Sequence, residues 1–359
     1  MHDPQKLTIT EVRRETQDAI SVTLAVPTNL TEWYRFQPGQ HLTLRSVKNG
    51  EELRRTYSIC SGPDDKLLRI AIKRVPGGVV STWANGSLQA GQTIEVMPPS
   101  GRFILPPGDG KPRHIVAFAA GAGITPIIAI VKHALAREPE TRVSLFYGNR
   151  SPETILFREE LEDLKDRHLG RFWLSHVLSR AGASESPLFD GRIDGAKVTA
   201  LTRKLIDLQR VDHVFVCGPG SMIKEARDAL LAQQFRRERI HHEFFAPGGG
   251  AYQQPPQPQP EMTTSAEAAE AIAILDGVRR AFPVATGERI IDAALKAGVR
   301  LPYSCKGGMC CTCRCKVREG SVAMDVNYAL ESWELEAGYV LACQSRPQTS
   351  RIELDFDAT

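Results

Sequence analysis

Apolar and polar residues alternate along the first hundred positions of the chain. LTITEVRRET from Leu7, AISVTLAVP from Ala19, QHLTLRSV from Gln40, RTYSIC from Arg55, LLRIAIKRV from Leu67 and QTIEVMPP from Gln92 carry the pattern. A period of two puts successive side chains on opposite faces of a strand. Turn residues separate the runs: PGQ at 38–40, KNG at 48–50 and SGPDD at 61–65. Several short strands at this spacing predict a small antiparallel barrel over residues 1–106.

From 107 to 246 the pattern changes. HIVAFAA (114–120), RVSLFYG (142–148), RFWLSHVLS (171–179) and HVFVCGP (213–219) read as buried strands. Between and after them lie a helix running to about Ala136, the charged helix FREELEDLKDRH (157–168) and the helix SMIKEARDALLAQQF (221–235). Strand–helix alternation predicts a parallel, doubly wound α/β sheet. Residues 247–268 open with PGGGAYQQPPQPQP. Gly, Pro and Gln cannot build a core, so this stretch reads as a linker. Residues 269–359 form a last domain of mixed character. It has a strand at 279–284, a helix at 290–298, a cysteine-rich loop, and further β character in VLACQSRPQTSRIELDF.

Composition adds constraints. Of 359 residues, 42% are hydrophobic and 24% charged, as in ordinary globular proteins, and the length allows two or three domains. A formal net charge of +3, with no basic run interleaved with aromatics, argues against nucleic acid as a partner. The N-terminus has no apolar h-region. The longest apolar stretch, 115–131, is broken by two Gly, a Thr and a Pro, so it reads as a strand and a helix rather than a membrane span. Six of the eight cysteines fall in the last 55 residues. Clustered cysteines in an intracellular chain indicate metal rather than disulfides, and the expected compartment is the cytoplasm.

Four of these cysteines have a diagnostic spacing. Cys305, Cys310 and Cys313 form C-x4-C-x2-C, and Cys343 follows after 29 residues. This is the ligand spacing of a plant-type [2Fe–2S] centre, which carries one electron at a time. Gly307 and Gly308 lie between the first two ligands, where backbone must come close to sulfide. Cys311 and Cys315 fall outside the spacing and are read as non-ligands. The loop is also basic, with Lys306, Arg314, Lys316 and Arg318. Those charges either meet an acidic face on a partner or are simply solvated.

Three further motifs precede the loop. GAGITP (121–126) follows a strand and opens a helix, a context that suits a dinucleotide pyrophosphate. A tight turn with no ligand accounts for it equally well when it is taken alone. RTYS (55–58) offers a cation, an aromatic face and a hydroxyl, and GGVVS (77–81) is a glycine turn entering a helix. HHEFF (241–245) reads either as a buried terminal strand or as a flavin contact. Arg150, in YGNR after the second parallel strand, with Arg158 nearby, stands where an NAD-type site favours an acidic residue. An arginine there suits the 2′-phosphate of NADPH.

RTYS, GGVVS, GAGITP and CGP (217–219), in this order, resemble the ferredoxin–NADP reductase superfamily, here fused to a plant-type ferredoxin. YRFQPGQHLTL, GEELRRTYSIC, LFYGNR, GRIDG, CKGGMCCTCRCKV, AMDVNYALE and GYVLACQ are similar, more closely, to the reductase subunits of bacterial phenylacetyl-CoA epoxidase complexes. The resemblance implies three modules: an antiparallel β-barrel for FAD, an α/β parallel-sheet domain for the nucleotide, and an α+β β-grasp ferredoxin domain. It implies that Arg55 pairs with the FAD pyrophosphate, that Tyr57 packs on the flavin and that Ser58 hydrogen-bonds near N5. It places Gly78 and Ser81 at the pyrophosphate, Gly121, Gly123 and Thr125 around the nicotinamide dinucleotide, and Cys217 and Gly218 facing the nicotinamide. Glu243 and Phe245 would then lie near the flavin. The implied activity takes electrons from NADPH through FAD and the cluster to a di-iron oxygenase that epoxidises phenylacetyl-CoA. The alternatives are reduction of another oxygenase or of a hybrid-cluster protein. An alternative of a different class is a ferredoxin-type carrier with degenerate upstream modules.

Overall fold

The computed structural model describes residues 4–48, 51–180, 186–245 and 268–358. They fall into two compact units, one spanning Pro4–Phe245 and the other in the C-terminal part of the chain. The stretch read as a linker lies outside the described residues, apart from Ala268.

The first unit opens with β1 (Gln5–Thr16), β2 (Ala19–Ala25), β3 (His41–Lys48), β4 (Glu51–Ser58), β5 (Leu68–Lys73), α1 (Val79–Ser87) and β6 (Thr93–Ser100). The six strands form one sheet in the order β4-β3-β6-β1-β2-β5, and every pairing is antiparallel. An antiparallel bridge from Ile59 to Ile70 ties the end of β4 to β5 and rolls the sheet towards closure. The alternation read from the sequence has its physical cause here. Leu7, Ile9, Ile20, Val22, Leu42, Leu44, Ile70, Ile72 and Val96 turn into one core that α1 covers with Ala84.

The same unit continues with β7 (His114–Ala120), α2 (Ile124–Arg137), β8 (Arg142–Asn149), α3 (Arg158–Arg167), β9 (Phe172–Leu178), α4 (Gly195–Leu205), β10 (His213–Gly218), α5 (Gly220–Ala232) and β11 (Ile240–Phe244). The sheet is fully parallel, in the order β11-β10-β7-β8-β9. The chain runs outward from β7 to β9, then returns to place β10 on the other side of β7. The switch point therefore lies between the C-terminal ends of β7 and β10, where open α/β sheets bind ligands. The sequence reading did not include α4. Its start is fixed by a local cap, in which the Asp194 carboxylate accepts from the Lys197 N–H at 2.7 Å.

Barrel and parallel sheet share a core. Ala19, Cys60, Ala71, Phe103 and Leu105 pack with Ile127, Ile130, Phe215 and Cys217. Ion pairs cross the same boundary. Arg69 donates twice to Glu160, at 2.8 and 2.6 Å, and Lys132 joins Glu160 to Asp65.

The C-terminal unit contains β12 (Ala269–Leu275), β13 (Val278–Val284), α6 (Ile290–Lys296), β14 (Arg314–Glu319), β15 (Val322–Met324), α7 (Ser332–Glu336), β16 (Tyr339–Leu341), β17 (Ser345–Pro347) and β18 (Arg351–Asp355). Five strands form a mixed sheet, β13-β12-β18-β14-β16, in which β12 and β18 run parallel. Helix α6 buries Ile290, Ile291, Ala293 and Ala294 in the core beneath it. The cysteine loop spans the connection from α6 to β14.

Candidate functional site

In the C-terminal unit the four spaced cysteines stand in two pairs. Cys305 is hydrogen-bonded to Cys310, and Cys313 to Cys343. A [2Fe–2S] centre with four thiolates asks for two per iron. The bond from Cys310 pushes the Cys305 thiol down, and the N–H groups of Gly307, Met309 and Cys310 act in the same direction against burial. The bond from Cys313 likewise lowers Cys343, with help from the Gly308 N–H and Gln344. The same two bonds, with burial, hold the partner thiols of Cys310 and Cys313 well up; the N–H donors aimed at Cys305 and Cys343 favour thiolate there, the form that binds iron. The residues present therefore fit the cluster.

The loop's shape depends on its backbone. Gly308 sits at φ +76°, and a Cβ there would lie 3.0 Å from the Val326 carbonyl oxygen. Lys306 and Cys311 also adopt positive φ. Gln344 donates to the Lys306 carbonyl at 2.7 Å, which ties the segment carrying Cys343 to the loop. Cys315 is fully buried on β14 opposite Val340, and burial holds its thiol up. The basic character of the loop is largely offset within the unit. Lys306 pairs with Asp292 at 2.8 Å, Arg314 with buried Glu334 at 2.8 Å and Arg318 with Asp355 at 2.8 Å. The Arg314 guanidinium also lies 3.5 Å above the Tyr339 ring centroid, with Lys316 over the same ring at 5.4 Å. A linear reading counts these cations but does not see the carboxylates that reach them from α6, α7 and β18.

The other site lies where the barrel meets the parallel sheet. Register on β4 puts Arg55 and Tyr57 on one face and Ser58 on the other. Arg55 is exposed and, among the described residues, donates to the Arg54 carbonyl at 2.7 Å. Tyr57 is half-buried, and burial pushes its hydroxyl to about 12. Gly78 precedes α1, which starts without a side-chain cap, so its first N–H groups are available to an anion. The Ser81 hydroxyl accepts from the Val75 N–H at 3.1 Å and donates to the Gly78 carbonyl at 3.3 Å. It shapes the turn from inside.

At the switch point, Gly121, Gly123, Cys217 and Gly218 converge. A Cβ on Gly123 would stand 2.0 Å from the Cys217 carbonyl oxygen, and one on Gly218 would stand 3.2 Å from Ala120 Cβ. Only glycine lets the two loops approach this closely. The buried Tyr147 hydroxyl donates to the Gly121 carbonyl at 3.0 Å, and Thr125 donates to the Ala122 carbonyl at 3.0 Å. Helix α2 starts uncapped, as α1 does. Cys217 itself is fully buried in the shared core, and its thiol is held up by burial and by Glu243. The resemblance implied a place for it facing the nicotinamide. The structure puts the sulfur in the core and its backbone against the glycine loop. Arg150 extends from the end of β8, is 53% exposed and lies 3.6 Å from Asp18. Arg158 is engaged by Glu162 at 3.0 Å.

HHEFF supplies most of β11. β11 is the terminal strand of the parallel sheet, and Phe245 packs against the core. Yet the Ser58 hydroxyl donates to Glu243 at 3.2 Å, joining β4 to β11 across 185 residues. Glu243 is 13% exposed. Removing a carboxylate from water costs several kcal/mol, while one hydrogen bond to a charged group contributes about 1.5–3 kcal/mol. His41, 3% exposed, stands 3.6 Å from the other oxygen of Glu243. Sequence reasoning missed this residue. β3, HLTLRSVK, alternates polar and apolar residues, so a histidine at its start gives no signal in the sequence.

Comparison with known proteins agrees with this geometry. Family models match in chain order: an oxidoreductase FAD-binding domain over residues 6–104, an oxidoreductase NAD-binding domain over 118–228, and a 2Fe-2S iron-sulfur cluster binding domain over 273–348. Together they define an NAD(P)H-dependent oxidoreductase that uses FAD and a [2Fe–2S] centre. The chain is 43% identical over 353 residues to a subunit of the 1,2-phenylacetyl-CoA epoxidase of Escherichia coli K12, covering 98% of this chain and 97% of that protein. It is 34% identical to the ferredoxin reductase component of 3-ketosteroid-9-alpha-monooxygenase of Mycobacterium tuberculosis, over 98% of this chain and 96% of that protein. The structure of phthalate dioxygenase reductase shares the fold across 98% of both chains, with a TM-score of 0.60 and 24% identity. The chain belongs to the family of oxygenase reductases that includes this epoxidase component, and its electrons pass from NAD(P)H through FAD and the cluster to an oxygenase. Among the described residues, no helix is long and apolar enough to cross a membrane.

Proposed function

We propose that this chain is the reductase of a cytoplasmic phenylacetyl-CoA epoxidase, taking its electrons from NADPH and serving a di-iron oxygenase. The observation that carries this reading is the 43% identity to the Escherichia coli epoxidase component along the whole length of both proteins. Bound FAD supplies the conversion that the route needs, since it takes two electrons as hydride and releases them singly to a one-electron centre.

In this reading the chain's own residues bind, orient and exclude water. Arg55 and the N–H groups of the first turn of α1, after Gly78, hold the FAD pyrophosphate, Ser81 keeps that turn in shape, and Tyr57 covers the ring. The Ser58 hydroxyl is the hydrogen-bond donor nearest N5, with Glu243 behind it and Phe245 packed alongside. Gly121, Gly123 and Gly218 admit the pyridine nucleotide, with Thr125 and Cys217 supporting their loops. Arg150 receives the 2′-phosphate. Cys305, Cys310, Cys313 and Cys343 hold the cluster. The proposed modules are residues 1–106, 107–246 and 269–359, joined by 247–268.

The test is reconstitution with the oxygenase subunits of a phenylacetyl-CoA epoxidase. NADPH consumption coupled to epoxide formation is expected. Uncoupled consumption with that oxygenase, and coupled turnover with a ketosteroid monooxygenase, would move the chain to another client, a second reading that the 34% relative favours. For the nucleotide, Arg150→Ala is expected to lower kcat/KM for NADPH about tenfold, the loss of one charged hydrogen bond. It should leave NADH unchanged, and an equal loss for both nucleotides would remove Arg150 from the phosphate site.

A further inference from the structure

The turn between the second and third spaced cysteines carries a side chain that the four thiols leave unexplained. The Arg314 N–H donates to the Cys311 carbonyl at 3.0 Å and closes the turn, within which Cys311 takes a φ of +54°. On its far side the Ala342 N–H donates to the Cys313 carbonyl at 3.0 Å, and Arg314 enters β14 in register with Leu341. The backbone on both sides of Thr312 is therefore held. A β-branched side chain on a held backbone has few orientations.

Thr312 Oγ1 is buried, and among the described residues it has no completed hydrogen bond. A buried hydroxyl left unpaired is costly, so a partner for it has to be found. The hydroxyl acts on Cys310, drawing that thiol down against burial and against the bond to Cys305. The Cys310 sulfur is thus its neighbour, but as a thiol that sulfur accepts only weakly. Cysteine binds iron as thiolate, with a negative charge and no proton. Iron binding therefore turns Cys310 into a strong acceptor beside an unpaired donor.

We propose that the Thr312 hydroxyl donates to the Cys310 sulfur in the cluster-loaded protein and raises the reduction potential of the cluster. The inference rests on the reading of Cys310 as a ligand. Hydrogen bonds to the sulfurs are among the factors that set the potential of such a centre. The reduced state holds one electron more than the oxidised state, so a donor at sulfur favours it. Thr312 is a positioning residue. It acts through the ligand, breaks no bond and moves no proton, and it favours the passage of each electron from flavin to cluster.

The test is a reductive titration of full-length protein loaded with FAD and cluster, with the cluster followed by its EPR signal. Thr312→Val keeps the branched shape and removes the hydroxyl. Its cluster is expected to hold the electron about tenfold less well, a fall of about 59 mV in a one-electron midpoint. Thr312→Ser keeps the hydroxyl and is expected to stay near wild type, and the flavin midpoints should not move in either variant. An unmoved cluster midpoint in Thr312→Val, at full iron and sulfide content, overturns the proposal. An equal fall in Thr312→Ser also overturns it, because the shift would then follow any disturbance of the turn. If Thr312→Val does not assemble a cluster, Thr312→Ser and Thr312→Ala decide, since they differ only in the hydroxyl, and equal midpoints in the two overturn the proposal. Cys310→Ser tests the reading beneath it. A full cluster with an unaltered EPR signal in that variant would remove Cys310 from the ligand set, whereas an unmoved midpoint in Thr312→Val leaves the ligand set standing.

Discussion

In the C-terminal unit, three of the four spaced cysteines lie within nine residues on one loop, and the fourth is carried to them by a single segment. In the first unit, Ser58, Cys217 and Glu243 come from β4, β10 and β11, and two of them are joined by a hydrogen bond across 185 residues. The first arrangement is held by short-range geometry: positive φ at Gly308, N–H groups aimed at sulfur, and Gln344 as a tie. The second is held by the register of two sheets and a core shared between them. A loop-borne site should fail piecewise and leave the remainder of the chain intact. An assembled site should transmit a change on one segment to another.

The largest effect should come from the loop. Serine at Cys305, Cys310, Cys313 or Cys343 is expected to abolish or severely reduce the cluster, measured as iron and sulfide content and as the EPR signal of the reduced protein. FAD content should be unchanged. Cys311→Ser and Cys315→Ser should retain the cluster. Loss in either of these would show that the ligand set is not the one given by the spacing.

Next in size is a change at the assembled site. Gly123→Ala forces the loop after β7 away from the Cys217 carbonyl, at a cost of about 1–3 kcal/mol for overpacking. The expected result is a rise of about tenfold in KM for the pyridine nucleotide, a lower melting temperature for the first unit and an unaltered cluster spectrum. A cluster signal that fell in parallel would break the contrast between the two sites.

The smallest effect concerns what holds the Cys343 segment. Asp325 accepts from Arg289 and Arg346, both at 2.9 Å, and its carboxyl is pushed below the ordinary range mainly by Arg346. A depressed carboxyl contributes stability above the unfolded value of about 4 and loses it as pH falls through the folded value. Asp325→Asn is therefore expected to lower the melting temperature of the C-terminal unit by a few degrees at neutral pH, with the two proteins converging in acid. A difference that persists below pH 3 would assign the effect to packing.

The two sites also differ in how far they can be read from the chain. Strands β1 to β6 follow from alternation because one face of each strand must turn to the core. The four-cysteine pattern is legible as spacing because a loop around a cluster has little freedom in length. Helix α4 escaped because its start depends on an Asp194 cap within a stretch of weak periodicity. The neutralisation of Lys306, Arg314 and Arg318 escaped because their carboxylates arrive from distant segments.

By itself, then, the sequence determined the strands of the barrel and of the parallel sheet, most of the helices, the glycine turns and the four-cysteine pattern. All of these depend on neighbours within a few residues or on fixed intervals. Only the tertiary structure decided that the thiols stand two by two, that Gly123 meets the Cys217 carbonyl, and that Ser58 and His41 share Glu243. Those contacts are set by strand register and sheet order, and a one-residue slip in either would turn each side chain to the opposite face.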